Sequence, residues 1–199
     1  MSKILIGGLF YIAGFLIIGW FFILGYCARL ARNVMAGVAQ PLPEWQDLGE
    51  YFGEGLRLFA VGFVYYLPLI AIAIVFGVPA AIMGAIETGD AEALSGLFAG
   101  CAVCFVMPIA LAVTFFLPAG LLAAVDQRRF GAAFEFGRLW DFISKNVVNY
   151  LLAILVYLIA RFLGSFGIIL LCIGVVFTAF WALLITTHAF AQAYRARAA

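Results

Sequence analysis

The chain has 199 residues, of which 67% are apolar and 11% charged, with a formal net charge of +1. Soluble domains run at roughly 45–50% apolar and about 25% charged, and a chain this short cannot bury so large an apolar excess away from water. An ordinary water-soluble fold is excluded, and the near-zero net charge gives no electrostatic ground for a nucleic-acid partner.

A helix needs roughly 20 apolar residues to cross a hydrocarbon core about 30 Å thick. The first run to qualify covers residues 4–26. It exceeds a signal-peptide core, usually about 7–15 residues, and no small-x-small site with a polar flank follows it, so it is read as an uncleaved span. Gly7, Gly8, Gly14, Gly19 and Gly25 stud it, and small residues allow close helix packing in lipid.

A polar connection follows, from Arg29 to Arg57. Pro43 suits a first helical turn, where its missing N–H costs nothing. Glu44 and Asp47 complement the positive end of a helix starting there. Trp45, Leu48, Phe52, Leu56 and Phe59 recur at helical spacing, with Glu44, Asp47, Glu50 and Glu54 largely off that stripe. The expectation is an amphipathic helix lying in the membrane interface and turning into the next span near Gly53 and Gly55. Its carboxylates, beside Arg29 and Arg32, form either a docking surface for a partner or the wet side of an elbow that caps the bundle.

The second span covers about residues 58–86 and the third about 94–125. Both exceed the length a perpendicular helix needs. Pro68 and Pro79 interrupt one, and Pro108 and Pro118 the other, so kinks or tilt are expected. Between them lies a short acidic turn with Glu87, Asp90 and Glu92. A second polar connection, 126–146, carries a weaker amphipathic pattern: Phe136, Leu139, Trp140, Ile143 and Val147 on one side, Arg138, Asp141 and Lys145 on the other. The fourth span is about 147–160 and the fifth about 166–190, joined by a tight turn at 161–165.

Gly25-Tyr26, Arg29, Arg32, Pro41-Leu42-Pro43-Glu44-Trp45, Phe52 and Gly55-Leu56 together resemble the signature of a family of prokaryotic membrane proteins, domain of unknown function 4013. The resemblance covers most of the chain and is distinctive mainly in the first connection. It implies a multi-span membrane protein and brings no catalytic residues with it.

Cytoplasmic loops carry the excess of Lys and Arg. Placing the two long connections and the C-terminus on one side puts Arg29, Arg32, Arg57, Arg128, Arg129, Arg138, Lys145, Arg195 and Arg197 there, against Lys3 and Arg161 opposite. The expected topology is therefore a multi-pass protein of the cell membrane with its N-terminus outside and its C-terminus cytoplasmic. The chain also repeats itself weakly. Phe21 to Gly25 resembles Phe115 to Ala119, and Leu58 to Leu67 resembles Asn149 to Leu158. The expected fold is all-α: a polytopic membrane helix bundle of about five transmembrane helices and two interfacial amphipathic helices. It forms a single membrane domain, with a parallel internal repeat (residues 1–94 and 95–163) and an appended fifth span and tail (164–199).

Chemistry at depth calls for ionisable groups inside the membrane, and the sequence offers few. His188, beside Thr186 and Thr187, is either a relay or ligand site or a locally hydrogen-bonded residue. Cys101 and Cys104 form a CxxC without partner ligands, so they read as packing; with Cys27 and Cys172 they make no secreted disulfide framework. Arg161 snorkels to the outer headgroups. Asn146, Asn149, Tyr150 and Tyr157 either line a shallow cavity or bond to neighbouring helices. No metal or cofactor is expected. The leading functional expectation is a non-enzymatic structural or accessory subunit of a membrane complex, meeting lipid and either other membrane subunits or copies of itself. Glu44, Trp45, Asp47, Glu50, Trp140 and His188 are the interaction candidates. The alternative is a small carrier or flippase-like transporter of an apolar or lipidic substrate, since transporters often use repeats and broken helices.

Overall fold

The computed structural model describes Ile6 and residues 18–86, 88–165 and 173–196. Every regular element among them is helical. In chain order they are α1 (Ile18–Met35), α2 (Leu48–Ile72), a π-helical segment (Ala73–Gly77), α3 (Val78–Gly84), α4 (Gly89–Gln127), a 3-10 turn (Phe130–Phe134), α5 (Phe136–Lys145), α6 (Val147–Ser165) and α7 (Ile173–Arg195).

Three stretches among the described residues are long and apolar enough to cross a membrane: Leu48–Gly84, Gly89–Gln127 and Val147–Ser165. They correspond to the second, third and fourth expected spans. Most of the first expected span and the start of the fifth, with Lys3, Cys172 and Arg197, lie outside the described residues. So does Glu87.

The chain divides into two compact units, Gly62–Leu117 and the remainder, Met1–Val61 with Pro118–Ala199. The first is a helical hairpin. Its turn is held where the Ser95 hydroxyl donates to the Ala80 carbonyl at 2.9 Å, and Phe76 stacks on Phe105 with centroids 5.5 Å apart. Pro68 sits inside α2, and the π turns fall immediately before Pro79. Proline has no N–H for the carbonyl four residues back, and a π insertion shifts the ladder by one residue so that the helix runs on. Nearly all of this hairpin's apolar surface faces outward: Ile74, Val75, Leu97, Val103, Met107 and Leu111 are all exposed. That is inverted for a protein in water and ordinary for one in lipid.

The second unit holds the core. Tyr26, Tyr51, Tyr150, Phe180 and Ile23 are fully buried in it. Helix α7 packs along α6 and α1. At the α6 contact Gly164 lies close enough that a Cβ there would stand 3.4 Å from that of Ala182, and the Thr178 hydroxyl donates to the Gly164 carbonyl at 3.0 Å. Tyr150 meets Phe190 at 5.5 Å and Phe142 at 5.8 Å.

The first connection departs from the sequence-based expectation. No helix starts near Pro43. Residues 41–47 form a non-helical strap, and α2 begins at Leu48 and runs straight through Gly53 and Gly55. Tertiary contacts hold the segment off a helical path: the Tyr26 hydroxyl donates to the Pro43 carbonyl at 3.0 Å, the Tyr51 hydroxyl donates to the Glu44 carbonyl at 2.5 Å, and Trp45 stacks on Tyr26. Only the second connection contains a separate amphipathic helix. In α5, Leu139, Phe142 and Ile143 face the core, while Arg138 pairs with Glu135 and Lys145 with Asp141, each at 2.8 Å.

Candidate functional site

Helix α1 ends at a left-handed glycine. Gly37 has φ +74°, and Val38 N–H returns to the Asn33 carbonyl at 3.0 Å, which closes the last turn. The chain then doubles back as the strap, pinned at three carbonyls: Asn33 Nδ2 donates to Pro41 at 2.8 Å, with the two tyrosine bonds to Pro43 and Glu44 beside it. Trp45 lies under this pinned segment. It stacks on Tyr26 with centroids 4.3 Å apart, meets Tyr51 edge-on at 5.8 Å, and reaches Phe180 of α7 at 6.3 Å.

Below the strap, α1 and α2 touch backbone to backbone. A Cβ on Gly25 would stand 1.9 Å from the Tyr51 carbonyl oxygen, and one on Gly55 would stand 1.6 Å from that of Phe21. Only glycine fits at either place. Around this crossing Phe21 packs edge-on against Phe52 and Phe59 at 5.4 and 5.1 Å. Two ion pairs close it. Arg29 Nη1 meets Glu50 at 2.5 Å and lies 3.9 Å from Asp47. Arg32 forks onto both oxygens of Glu54, with side chains only 17% and 13% exposed. A bidentate guanidinium–carboxylate pair fixes orientation as well as charge.

Further polar groups of this unit lie at the ends of the same helices. The Arg195 guanidinium at the end of α7 lies over Gly37 at the end of α1, where a cation suits two helix C-termini. Tyr194 donates to Asp126 at 3.2 Å. An open groove of about 630 Å³ is lined by Asp126, Gln127, Arg138, Asp141, Lys145 and Asn146, two carboxylates against two cations.

The candidate residues therefore separate. Trp45 is a packing residue of the strap. Glu50 is committed to Arg29, and Asp47 lies beside the same guanidinium. Glu44 is exposed, with Gln46 Nε2 at 3.2 Å. Trp140 is 59% exposed on the outer edge of α5, well away from the strap in sequence. His188 faces Gln192 of its own helix at 2.9 Å, and Thr186 and Thr187 bond back to carbonyls one turn earlier. Asn146 bonds to the Phe142 carbonyl at 3.2 Å, again locally. Among the described residues no three His, Cys, Asp or Glu side chains converge as a metal site would need.

Sequence reasoning missed the two tyrosine pins, the reciprocal glycine contact and the Arg32–Glu54 fork. The signal for the last was present: Arg29 and Arg32 on one helix face, Glu50 and Glu54 on another, separated by a connection short enough to fold back.

Those elements lie within the chain's match to a protein family. Residues 8–173 match the family of proteins of unknown function DUF4013. The chain belongs to the DUF4013 family. No curated protein and no solved structure matches it. Within this DUF4013 protein most of the residues that carry the resemblance, Gly25, Tyr26, Arg29, Arg32, Pro41 to Trp45, Phe52 and Gly55, lie in the strap and the helix crossing, while Leu56 is exposed.

Proposed function

We propose that this DUF4013 protein is a non-enzymatic multi-pass protein of the cell membrane, a structural or accessory subunit that meets other membrane subunits or copies of itself. Its N-terminus lies outside and the polar end on the cytoplasmic side, in line with the Lys and Arg excess of the two connections. The observation that carries this reading is the pinned strap. Three side chains spend their hydrogen bonds holding backbone carbonyls, and Glu44, Gln46 and Asp47 are left exposed on a rigid support. Rigid presentation lowers the ordering cost of binding, and a partner with basic residues facing the cytoplasm is the chemical complement.

The test is reversal of Glu44 and Asp47 to lysine, followed by purification from native membranes. The wild type is expected to bring down a stoichiometric protein, or itself, and the variant to lose it while staying folded. If the double reversal changes neither association nor stability, the exposed strap is only a solvated face and this reading fails.

A carrier is the second reading, and the π segment Ala73–Gly77 between two prolines favours it, because such insertions recur where helices do work. Transport of an apolar or lipidic substrate would be lost on replacing Gly77 with leucine and untouched by the strap charges. The parallel internal repeat belongs to both readings.

A further inference from the structure

Helix α5 carries three arcs rather than the two its sequence suggested. At about 100° per residue, Leu139, Phe142 and Ile143 cluster on one arc and are buried. Arg138, Asp141 and Lys145 take a second; they are exposed and border the open groove beside Asp126. Phe136 and Trp140, about 40° apart, take a third. They are 52% and 59% exposed and lie roughly opposite the charges.

The neighbouring helix fixes the depth at which this third arc sits. Asn146, with φ −124° and ψ +33°, breaks the helix, and α6 starts at Val147. Eight residues on a straight helix span about 12 Å, yet the Phe142 and Tyr150 rings meet at 5.8 Å, so α5 is bent back toward α6. The 19 residues of α6 are long and apolar enough to cross a membrane. At roughly 1.5 Å per residue they extend about 28 Å, against a hydrocarbon core of about 30 Å. Helix α6 needs its whole length to cross, which places Val147 at the boundary and α5 with it. Val148, Leu151, Leu152 and Leu155 are exposed on one face of α6. A helix held at that depth must keep its charges in water, so the opposite arc turns to the acyl chains. Tryptophan favours that layer. The charges of α5 pair off, Arg138 with Glu135 and Lys145 with Asp141, so attraction to anionic headgroups is not what holds the helix there.

We propose that Phe136 and Trp140 insert into the boundary between headgroups and acyl chains, which makes α5 a lipid-bound anchor of this end of the bundle and not a surface for a second protein. The inference rests on the membrane reading but not on any partner of the strap.

The test follows tryptophan emission of the full chain in nanodiscs, with brominated phosphatidylcholine as the quencher in the lipid and iodide as the quencher in the water. The contribution of Trp140 is the difference between wild type and Trp140→Phe, in which Trp20, Trp45 and Trp181 cancel. That contribution is expected to lose most of its intensity to the brominated lipid and little to iodide. Phe136→Trp in the Trp140→Phe chain should behave the same way. Arg138→Trp in that chain should do the reverse, quenched by iodide and spared by the lipid. Leu155→Trp in the same chain places a reference probe on the exposed face of α6, where brominated lipid should quench it. Loss of the Phe136→Trp and Trp140 signals to iodide alone would make the arc a solvated face and overturn the proposal. Resistance to both quenchers would mean that a protein, whether partner or second copy, covers the arc, and would overturn it as well. A Leu155→Trp probe spared by the brominated lipid would refute the membrane reading along with the anchor. A quenched Leu155→Trp probe beside an unquenched Trp140 would refute the anchor alone.

Discussion

Adding one methyl group at Gly55 probes the helix crossing more sharply than any charge change. The new Cβ would stand 1.6 Å from the Phe21 carbonyl oxygen, and at Gly25 it would stand 1.9 Å from that of Tyr51. Ordinary contact between such atoms is roughly 3.3 Å, so α1 and α2 must part by about 1.5 Å. Both offending atoms are backbone, so no rotamer change relieves the clash. Separation of that size pulls Phe21 off Phe52 and Phe59 and stretches the Arg32–Glu54 fork. Overpacking alone costs about 1–3 kcal/mol, and loosening the ring contacts and the fork brings the expected loss for Gly55→Ala to roughly 3 kcal/mol or more. For a chain of this length that is a fall in unfolding temperature of roughly 6–12 °C. The assay is thermal unfolding in one detergent, followed by intrinsic tryptophan fluorescence. Gly49→Ala and Gly53→Ala are the controls: nothing stands near either Cβ position, and removing a helical glycine should stabilise by about 0.5–1 kcal/mol. If Gly25→Ala and Gly55→Ala behave like these controls, the helices do not cross where the structure places them.

The ion pairs should differ in weight. Glu54→Ala strands the part-buried Arg32 and is expected to cost roughly 2–3 kcal/mol, somewhat below the loss for a fully buried pair, whereas Glu50→Ala on the exposed Arg29 pair should cost under about 1 kcal/mol; chemical denaturation in detergent compares the two, and equal losses would contradict the clamp. Tyr26→Phe removes one strap pin and should cost about 1 kcal/mol, with faster proteolysis within residues 38–47 as the local readout. Replacing Cys101 and Cys104 with alanine should leave assembly and metal content unchanged, and zinc lost stoichiometrically on that replacement would show that the pair is a site.

The all-helical class and the three apolar helices were legible because they rest on composition and run length, which lipid makes nearly decisive. Helix α5 was legible for a related reason: Leu139, Phe142 and Ile143 fall on one arc and Arg138, Asp141 and Lys145 on the other. The strap was not. Proline followed by two acids is a sound local start for a helix, and nothing within residues 41–47 says that Tyr26 and Tyr51 will pin the carbonyls of Pro43 and Glu44. Tertiary hydrogen bonds overrode a local preference. Gly25 and Gly55 were visible as small residues, but whether a glycine marks a bend or a contact depends on what lies opposite, and that is Phe21 and Tyr51 on other turns. The acidic surface expected along Glu44, Asp47, Glu50 and Glu54 shrank for the same reason: Glu50 and Glu54 face Arg29 and Arg32 once the connection folds back.

The proposed topology, with the two polar connections on the cytoplasmic side of a membrane, is open to direct measurement. Paired reporter fusions measure this directly: one enzyme active only in the cytoplasm and one active only outside, each joined after Ala199 and, separately, inserted between Thr88 and Gly89. Cytoplasmic activity is expected at Ala199 and external activity at the Thr88 insertion. The same side at both positions would contradict it.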